Sequence, residues 1–308
     1  MSFALVFPGQ GNQHAAMLPW LAEDEVVRAM SSRLGTADWR AAASDPAWVE
    51  RNDVAQVLLT GLALAAWRQL APHLPAPAAV AGYSVGEIAA FSAAGVFDAS
   101  TALRLAGTRA EAMDRCAEAM PGGLLGVSGI AADAVERQCA RDGLEIAIRN
   151  GPDSVVVGGP RLALDAAEAA LRDRGARCTR LRVGVASHTP LMAAAARDFA
   201  HALSQQRLDA PQVALFSNAD DRIRDAVRAR HALSAQIATT VRWDECMEGL
   251  RSRGIACVLE VGPGQALARL WNERHPDVPA RSCDEFRSAE GIVRWVRAQS
   301  LDAAGSGD

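Results

Sequence analysis

A serine stands between two glycines at residues 82–86, in the pattern Gly82-x-Ser84-x-Gly86. A short apolar strand precedes it and an alanine-rich helix follows it, which is typical of a nucleophile elbow. Such a turn is so sharp that only glycine fits at the flanking positions, and it exposes the serine oxygen at the carboxyl end of a sheet. The pattern predicts Ser84 as a nucleophile. The alternative is an ordinary helix start, because Ser84 and Glu87 also fit a capping box.

A nucleophilic serine needs a base, and the chain contains no lysine, so a Ser-Lys pair is excluded. Among the six histidines, His188 follows a predicted strand and precedes a helix that opens at Thr189-Pro190. A histidine at that junction should lie at the same sheet edge as Ser84, which makes it the candidate base. A loop histidine without a catalytic role is the alternative. Polar or helical contexts predict a surface position for the other five: His14, His73, His201, His231 and His275.

Composition narrows the possible partners and the class of protein. Half of the 308 residues are apolar, so a full-sized hydrophobic core is expected. The net charge of −4 gives no broad basic surface, which argues against a nucleic-acid partner. No stretch reaches the ~18 apolar residues of a membrane span, and no signal peptide is indicated. The scattered cysteines predict neither a disulfide framework nor a metal site, and favour a reduced, cytoplasmic protein.

The order of strands and helices predicts an α/β fold in two parts. Residues 1–121 and 185–300 alternate strands with helices, and should form a large α/β-hydrolase-like domain with a parallel sheet that carries the elbow. Residues 122–184 follow the order βαββαβ, which predicts a small, inserted, ferredoxin-like domain. The small polar residues at 301–308 predict a disordered tail.

Seven segments spread over almost the whole chain match one known family in order. They are residues 7–11 (FPGQG), 82–87 (GYSVGE), 108–113 (TRAEAM), 150–152 (NGP), 187–192 (SHTPLM), 241–243 (VRW) and 260–264 (EVGPG). With these segments the chain resembles the malonyl-CoA:acyl carrier protein transacylase family. The resemblance implies a malonyltransferase that forms a malonyl-serine ester and then passes malonyl to the thiol of an acyl carrier protein. It implies no bound cofactor.

The resemblance also implies a role for individual residues. Ser84 corresponds to the nucleophile, and His188 to its general base and later acid. Gln236, seven residues before Trp243, corresponds to the glutamine that orients the histidine, although on its own it would look like a helix-surface residue. The backbone N–H groups of Gln10 and Val85 correspond to the oxyanion hole.

Arg109 corresponds to the residue that binds the free carboxylate of malonate. A rigid guanidinium suits that carboxylate, because it can donate two parallel hydrogen bonds. By sequence alone, Arg109 would rather be an arginine on a helix face, paired with Glu111 or Asp114. Arg180 and Arg182 of a predicted strand at 177–183, with Arg177 nearby, are candidate contacts for an acidic carrier protein, and a solvated strand face is the alternative.

Tyr83 departs from the family, which usually has histidine before the nucleophile. The run Gly-Tyr-Ser-Val-Gly-Glu resembles the malonate decarboxylase epsilon subunit, a branch that transfers malonyl to that complex's own carrier subunit. Tyr83 and Asn150 are therefore expected near the acyl pocket. Three alternatives stay open: a transacylase of fatty-acid or polyketide synthesis, a serine thioesterase or esterase, and a non-catalytic acyl-binding subunit.

Overall fold

The computed structural model describes residues 2–305 of the chain. Its strands are β1 (Phe3–Phe7), β2 (Ala79–Gly82), β3 (Gly122–Ser128), β4 (Glu145–Gly151), β5 (Ser154–Pro160), β6 (Arg177–Arg180), β7 (Ala214–Phe216), β8 (Arg222–Ile223), β9 (Val241–Arg242), β10 (Cys257–Glu260) and β11 (Ala280–Ser282). These strands form two sheets, and the helices pack around them.

The helices are α1 (Glu25–Arg33), α2 (Trp39–Ala42), α3 (Pro46–Val49), α4 (Asn52–Leu70), α5 (Gly86–Ala93), α6 (Ala99–Ala119), α7 (Ala132–Asp142), α8 (Arg161–Asp173), α9 (Ala193–Ser204), α10 (Ala226–Ala235), α11 (Trp243–Arg251), α12 (Ala266–Arg274) and α13 (Ala289–Gly305). Short 3₁₀ turns occur at Ala71–His73, Pro190–Met192 and Cys283–Glu285.

The first sheet has the strand order β11-β10-β1-β2-β7-β8. All pairs are parallel except β7 with β8. Every residue of β1 and β2 is buried, because helices cover both faces of a parallel sheet and leave no polar side for these strands. The predicted α/β fold with a parallel sheet is confirmed. The carboxyl ends of β1, β2 and β7 lie side by side, so the loops that follow them meet at one edge.

The second sheet has the order β6-β3-β5-β4-β9. Its first four strands come from the βαββαβ stretch and pair antiparallel. The fifth strand, β9, pairs parallel with β4 and comes from outside residues 122–184. The strand predicted at 177–183 also ends earlier, at Arg180. The second sheet therefore extends beyond the inserted segment, and β9 ties it to the rest of the chain.

Two sequence expectations about single segments are corrected. The sequence predicted no stretch long and apolar enough to cross a membrane, but Asn52–His73 is such a stretch by length and composition. In its most apolar 18 residues, 78% are buried inside the fold. Packing of α4 against α1, α5 and α6 accounts for that apolar composition. The helix α13 continues to Gly305, so five residues of the predicted disordered tail are helical. Residues 306–308 of that tail lie outside the described residues.

Candidate active site

Ser84 sits on a strained turn between β2 and α5. Its φ is +55°, in the left-handed region that is unfavourable for any residue except glycine. The flanking glycines allow the turn to close. A Cβ on Gly82 would lie 2.2 Å from the backbone carbon of Gly86, and a Cβ on Gly86 would lie 2.2 Å from the carbonyl oxygen of Phe7. Neither position therefore accepts a larger residue without a backbone shift.

The capping-box alternative for this turn is wrong. The residue that caps α5 is Val85, and no side chain accepts a hydrogen bond from the first turn of that helix. The carboxyl of Glu87 accepts instead from the backbone N–H of Asn218, at 2.7 Å. Ser84 is thus left free to contact a different group.

That group is His188. The Oγ of Ser84 and the Nε2 of His188 are 2.7 Å apart. The Nδ1 of His188 lies 2.6 Å from the main-chain carbonyl oxygen of Gln236. Because a carbonyl only accepts, Nδ1 carries the proton, and Nε2 is left to accept from the serine hydroxyl. Burial of His188, followed by the positive charge of Arg109, lowers its pKa to about 3, so the ring is neutral near pH 7.

Gln236 contributes both its main chain and its side chain. It is fully buried at the end of α10, so the surface position suggested by sequence alone is wrong. Its main-chain carbonyl faces His188, while its side-chain oxygen accepts from the Nη2 of Arg109 at 3.2 Å. Its side-chain nitrogen lies 3.4 Å from the main-chain oxygen of Ser84. One residue therefore connects the serine, the histidine and the arginine.

Arg109 is a buried cation with neutral partners. Its side chain is fully buried on α6, and its Nη1 donates to the side-chain oxygen of Gln56 at 2.7 Å. Among the described residues, no carboxylate lies within ion-pair distance of Arg109 and its Nε has no acceptor. The predicted pairing with Glu111 or Asp114 is wrong, since Asp114 accepts from Asn52 instead. Burial lowers the pKa of Arg109 to about 10.

Gln10 and Val85 bring backbone N–H groups to the site from two neighbouring strand ends. Gln10 belongs to the loop after β1, and Val85 directly follows Ser84. Within the part of the chain that the structure describes, neither backbone N–H has a hydrogen-bond acceptor. The side chain of Gln10 donates to the Oδ1 of Asn52 at 3.1 Å. Two free N–H groups beside a serine could stabilise a developing oxyanion.

Tyr83 and Asn150 meet across the two sheets. The Tyr83 hydroxyl donates to the Oδ1 of Asn150, which lies on β4, at 3.2 Å. The edge of the Tyr83 ring packs against Trp243, with 5.3 Å between ring centroids. Burial raises the pKa of the Tyr83 phenol above its ordinary value, so the hydroxyl stays protonated and remains a donor.

A cavity of about 420 Å³ opens between the two sheets at this edge. Ser84, His188, Gln10, Tyr83 and Asn150 all line it, whereas Arg109, Gln236 and Val85 do not. Two arginines also line it, Arg177 and Arg269, and neither forms an ion pair with a described residue. Glu273 lines the cavity as well, so the cleft combines a candidate nucleophile and base with two arginines and one carboxylate.

Other predicted positions are corrected. Arg180 pairs with Asp165 and Glu168, and Arg182 pairs with Glu50, so neither charge is free. His275 is buried, although a surface position was expected.

Sequence reasoning also missed the amides that surround the site. Asn218 contacts the turn of Ser84, while Asn52 and Gln56 link Gln10 to Arg109. Only Asn218 gives a signal in the sequence, as a polar residue placed just after an apolar strand of the sheet.

Comparisons with known proteins agree with this site. The model of the acyl transferase domain family matches residues 4–275. A malonyl CoA-acyl carrier protein transacylase of Haemophilus influenzae is 31% identical over 96% of this chain and 99% of its own. The crystal structure of an acyl-carrier-protein S-malonyltransferase from Burkholderia pseudomallei superposes with a TM-score of 0.88 at 29% identity, covering 96% of this chain and 100% of that one.

A second similar structure contains a bound carrier. It is a malonyl-transacylase in complex with a type II polyketide synthase acyl carrier protein, with a TM-score of 0.89 at 30% identity, covering 96% of this chain and 99% of that one. The matches extend across both sheets and include the Ser84 turn and the His188 loop. The chain therefore belongs to the acyl transferase family and is an acyltransferase.

Proposed function

We propose that this protein is a malonyltransferase, which moves a malonyl group from malonyl-CoA to the thiol of an acyl carrier protein through a malonyl-Ser84 ester. One observation carries the proposal. The Ser84–His188 pair lies 2.7 Å apart at a cleft, and a fully buried arginine, which has no carboxylate partner among the described residues, contacts the residue that orients His188. A buried unpaired charge is costly, and a substrate carboxylate would compensate it.

The first half-reaction acylates the serine. Neutral His188 takes the Ser84 hydroxyl proton at Nε2 while Oγ attacks the thioester carbonyl carbon. The negative charge on the thioester oxygen is met by the backbone N–H groups of Gln10 and Val85, each worth about 2.7–4 kcal/mol in serine enzymes. As the C–S bond breaks, His188 returns the proton to the sulfur, and CoA leaves as a thiol.

The second half-reaction runs through the same groups in reverse. The carrier thiol gives its proton to His188 and attacks the malonyl ester, and Ser84 recovers the proton as the ester bond breaks. The main-chain carbonyl of Gln236 keeps the imidazole in the tautomer that both halves need. Since the cavity stops short of Arg109, the malonyl carboxylate must enter beyond the open cleft, where little water can follow.

The carrier is proposed to approach the cleft mouth. Arg177 and Arg269 line it with free charges, which suits an acidic partner or the phosphate of a prosthetic group. The paired Arg180 and Arg182 are weaker candidates. Charge reversal at Arg177 and Arg269 should raise the carrier's KM, and should raise the KM of malonyl-CoA as well, because its phosphates approach Ser84 through the same cleft. Reversal at Arg253, an exposed arginine that does not line the cavity, is the matched control.

The acceptor we favour is a carrier of fatty-acid or polyketide synthesis, since one relative is named as a transacylase of acyl carrier protein and one similar structure holds a type II polyketide synthase carrier. The malonate decarboxylase branch is the second candidate, and its support is Tyr83 with its hydrogen bond to Asn150. A competition between the two carriers, each with its own prosthetic group, tests the choice. A higher kcat/KM for the decarboxylase carrier would favour the second candidate.

The proposal includes a large hydrolase-like part and a small ferredoxin-like part, with the cleft between them, and a cytoplasmic location. The strand order β6-β3-β5-β4 supports the description of the small part. Digestion at the Gly122 and Gly184 boundaries would test whether the two parts behave as separate units. Fractionation of the source cells would test the location.

The decisive experiment is intact-mass analysis after mixing the protein with malonyl-, acetyl- or methylmalonyl-CoA. Malonyl-CoA should add one malonyl group, and peptide mapping should locate it on Ser84. Ser84→Ala should remain unlabelled. A label that turns over rapidly in water would instead favour a thioesterase, and absence of any label would favour a non-catalytic subunit.

A further inference from the structure

The turn that carries Ser84 is held by an amide from the neighbouring strand. The side-chain oxygen of Asn218 accepts from the backbone N–H of Ser84 at 2.8 Å. The side-chain nitrogen of Asn218 donates to the carbonyl oxygen of Gly82 at 2.7 Å. One side chain thus bonds both sides of the strained turn. Because the N–H must donate and the carbonyl must accept, only one orientation of the amide fits.

These two bonds extend the hydrogen-bond ladder between β2 and β7 past its last paired residues. Strands β2 and β7 pair in parallel up to Ala81 opposite Phe216, and two further steps place Tyr83 opposite Asn218. In a parallel pair, a residue bonds the carbonyl before its opposite residue and the N–H after it. For the residue opposite Tyr83 these groups belong to Gly82 and Ser84. The Asn218 side chain bonds these two groups in place of a backbone peptide.

The main chain of Asn218 cannot make these bonds, because it is engaged elsewhere. Its N–H donates to the carboxyl of Glu87 at 2.7 Å, and its carbonyl accepts from the N–H of Arg242 at 3.1 Å. Asn218 is fully buried. The residue is therefore fixed by α5 on one side and by β9 on the other, and its side chain is aimed at the elbow.

We propose that Asn218 is a positioning residue for acyl transfer, which holds the backbone of Ser84 so that its Oγ faces His188 and the next N–H, of Val85, stays free for the oxyanion. The left-handed φ of Ser84 is unfavourable, so the turn relaxes unless both of its sides are held. A shift of about 1 Å at a reacting atom can cost about 10²-fold in rate. The inference rests on Ser84 being the nucleophile of the proposed function.

The test compares Asn218→Leu, which keeps the branched shape of the side chain but forms no hydrogen bond, with a control at Asn272, an exposed asparagine. Asn272 makes the same pair of bonds to a single backbone residue, Ala280, at 2.9 and 2.8 Å, and does not line the cavity. Asn272→Leu should lower the thermal stability and leave the rate of acylation unchanged. Rapid mixing with malonyl-CoA at several concentrations, read by intact mass, separates the maximal rate from the half-saturating concentration.

Asn218→Leu should lower the maximal rate of acylation by about 10²-fold and change the half-saturating concentration by less than about threefold. Asn218→Ser, whose hydroxyl is too short to reach either side of the turn, should show the same loss and serves if the leucine variant does not fold. A folded variant that acylates within about threefold of the unchanged protein would overturn the inference. So would a rate loss equal to that of Asn272→Leu. If Ser84→Ala itself became labelled, the proposed function would fail instead.

Discussion

Replacing Arg109 by alanine should separate malonyl from acetyl transfer. Arg109 is fully buried, and its partners Gln56 and Gln236 are neutral amides, so its charge is available for a substrate carboxylate. Breaking a buried charge pair by removing one partner costs about 3–5 kcal/mol. At about 1.4 kcal/mol per tenfold, malonyl transfer should fall by two to three orders of magnitude. Acetyl transfer lacks the carboxylate, and should fall little or rise.

The isosteric change Gln56→Glu tests the same arginine by adding a carboxylate beside it. It places a carboxylate where the Gln56 oxygen now lies, 2.7 Å from the Nη1 of Arg109. The resident anion then neutralises the arginine and repels a second carboxylate. Two like charges about 5 Å apart repel by about 3 kcal/mol at an effective dielectric constant of about 20. Malonyl transfer should therefore fall by about 10²-fold, with acetyl transfer retained.

The assay is the initial rate of Ser84 acylation by malonyl-CoA and by acetyl-CoA, measured by intact mass for each variant. The informative quantity is the ratio of the two kcat/KM values, because a general distortion of the site lowers both rates and leaves the ratio unchanged. An equal loss for both substrates in Arg109→Ala would mean that Arg109 only supports Gln236. A malonyl preference that survives in Gln56→Glu would refute the idea that the substrate carboxylate reaches Arg109.

The other predictions concern the turn, the base and a buried acid. Gly82→Ala should lower the free energy of unfolding by about 1–3 kcal/mol or more, because the new Cβ would lie 2.2 Å from a backbone atom. Gly107→Ala in α6 is the control, since its Cβ would lie 3.8 Å from the nearest atom, and it should raise the free energy of unfolding by about 0.4–1 kcal/mol. Denaturant unfolding measures both changes. Since the pKa of His188 is lowered to about 3, kcat/KM for malonyl-CoA should stay level from pH 8 to pH 5, where a base with the ordinary pKa of about 6.5 would lose about 30-fold. Burial raises the pKa of the Glu87 carboxyl from 4.5 to about 8 in the folded protein. Between these two pH values the folded protein binds one more proton than the unfolded chain, so the free energy of unfolding falls as pH rises. In Glu87→Gln, the melting temperature should decline less over this pH range, and an unchanged pH dependence would contradict the assignment.

The strained turn at Ser84 could be predicted from the sequence, because glycines flank the serine on both sides. Gly82 is required by a local contact, with the backbone carbon of Gly86, whereas Gly86 is required by a distant one, with the carbonyl oxygen of Phe7, each at 2.2 Å. His188 lies 2.7 Å from Ser84 as expected, but not for the expected reason, because the strand before it, β6, ends at Arg180 and belongs to the second sheet. The parallel first sheet and the antiparallel strands of 122–184 followed from the alternation of helices and strands.

The amides around the site could not be predicted, because their role depends on contacts between distant segments. Gln56 lies on α4, and its partner Arg109 lies on α6, 53 positions later. A glutamine in an apolar helix has no sequence signal that distinguishes a surface position from a buried one. The family resemblance pointed to Gln236, but its own sequence context did not, and it is the main-chain carbonyl of this residue that faces the histidine. Strand β9 was missed for a similar reason, since two residues carry no periodic pattern.

Under the proposed function, Arg109 links the choice of acyl group to the basicity of His188. Arg109 and His188 are buried beside each other, and the charge of Arg109 lowers the pKa of the imidazole further. A malonyl carboxylate on Arg109 removes that effect, so binding the correct acyl group should raise the basicity of His188 at the moment when a proton must move. An acetyl group brings no such charge. In that proposal, substrate selection and activation of the base both depend on one buried arginine, which Gln56 and Gln236 hold in place.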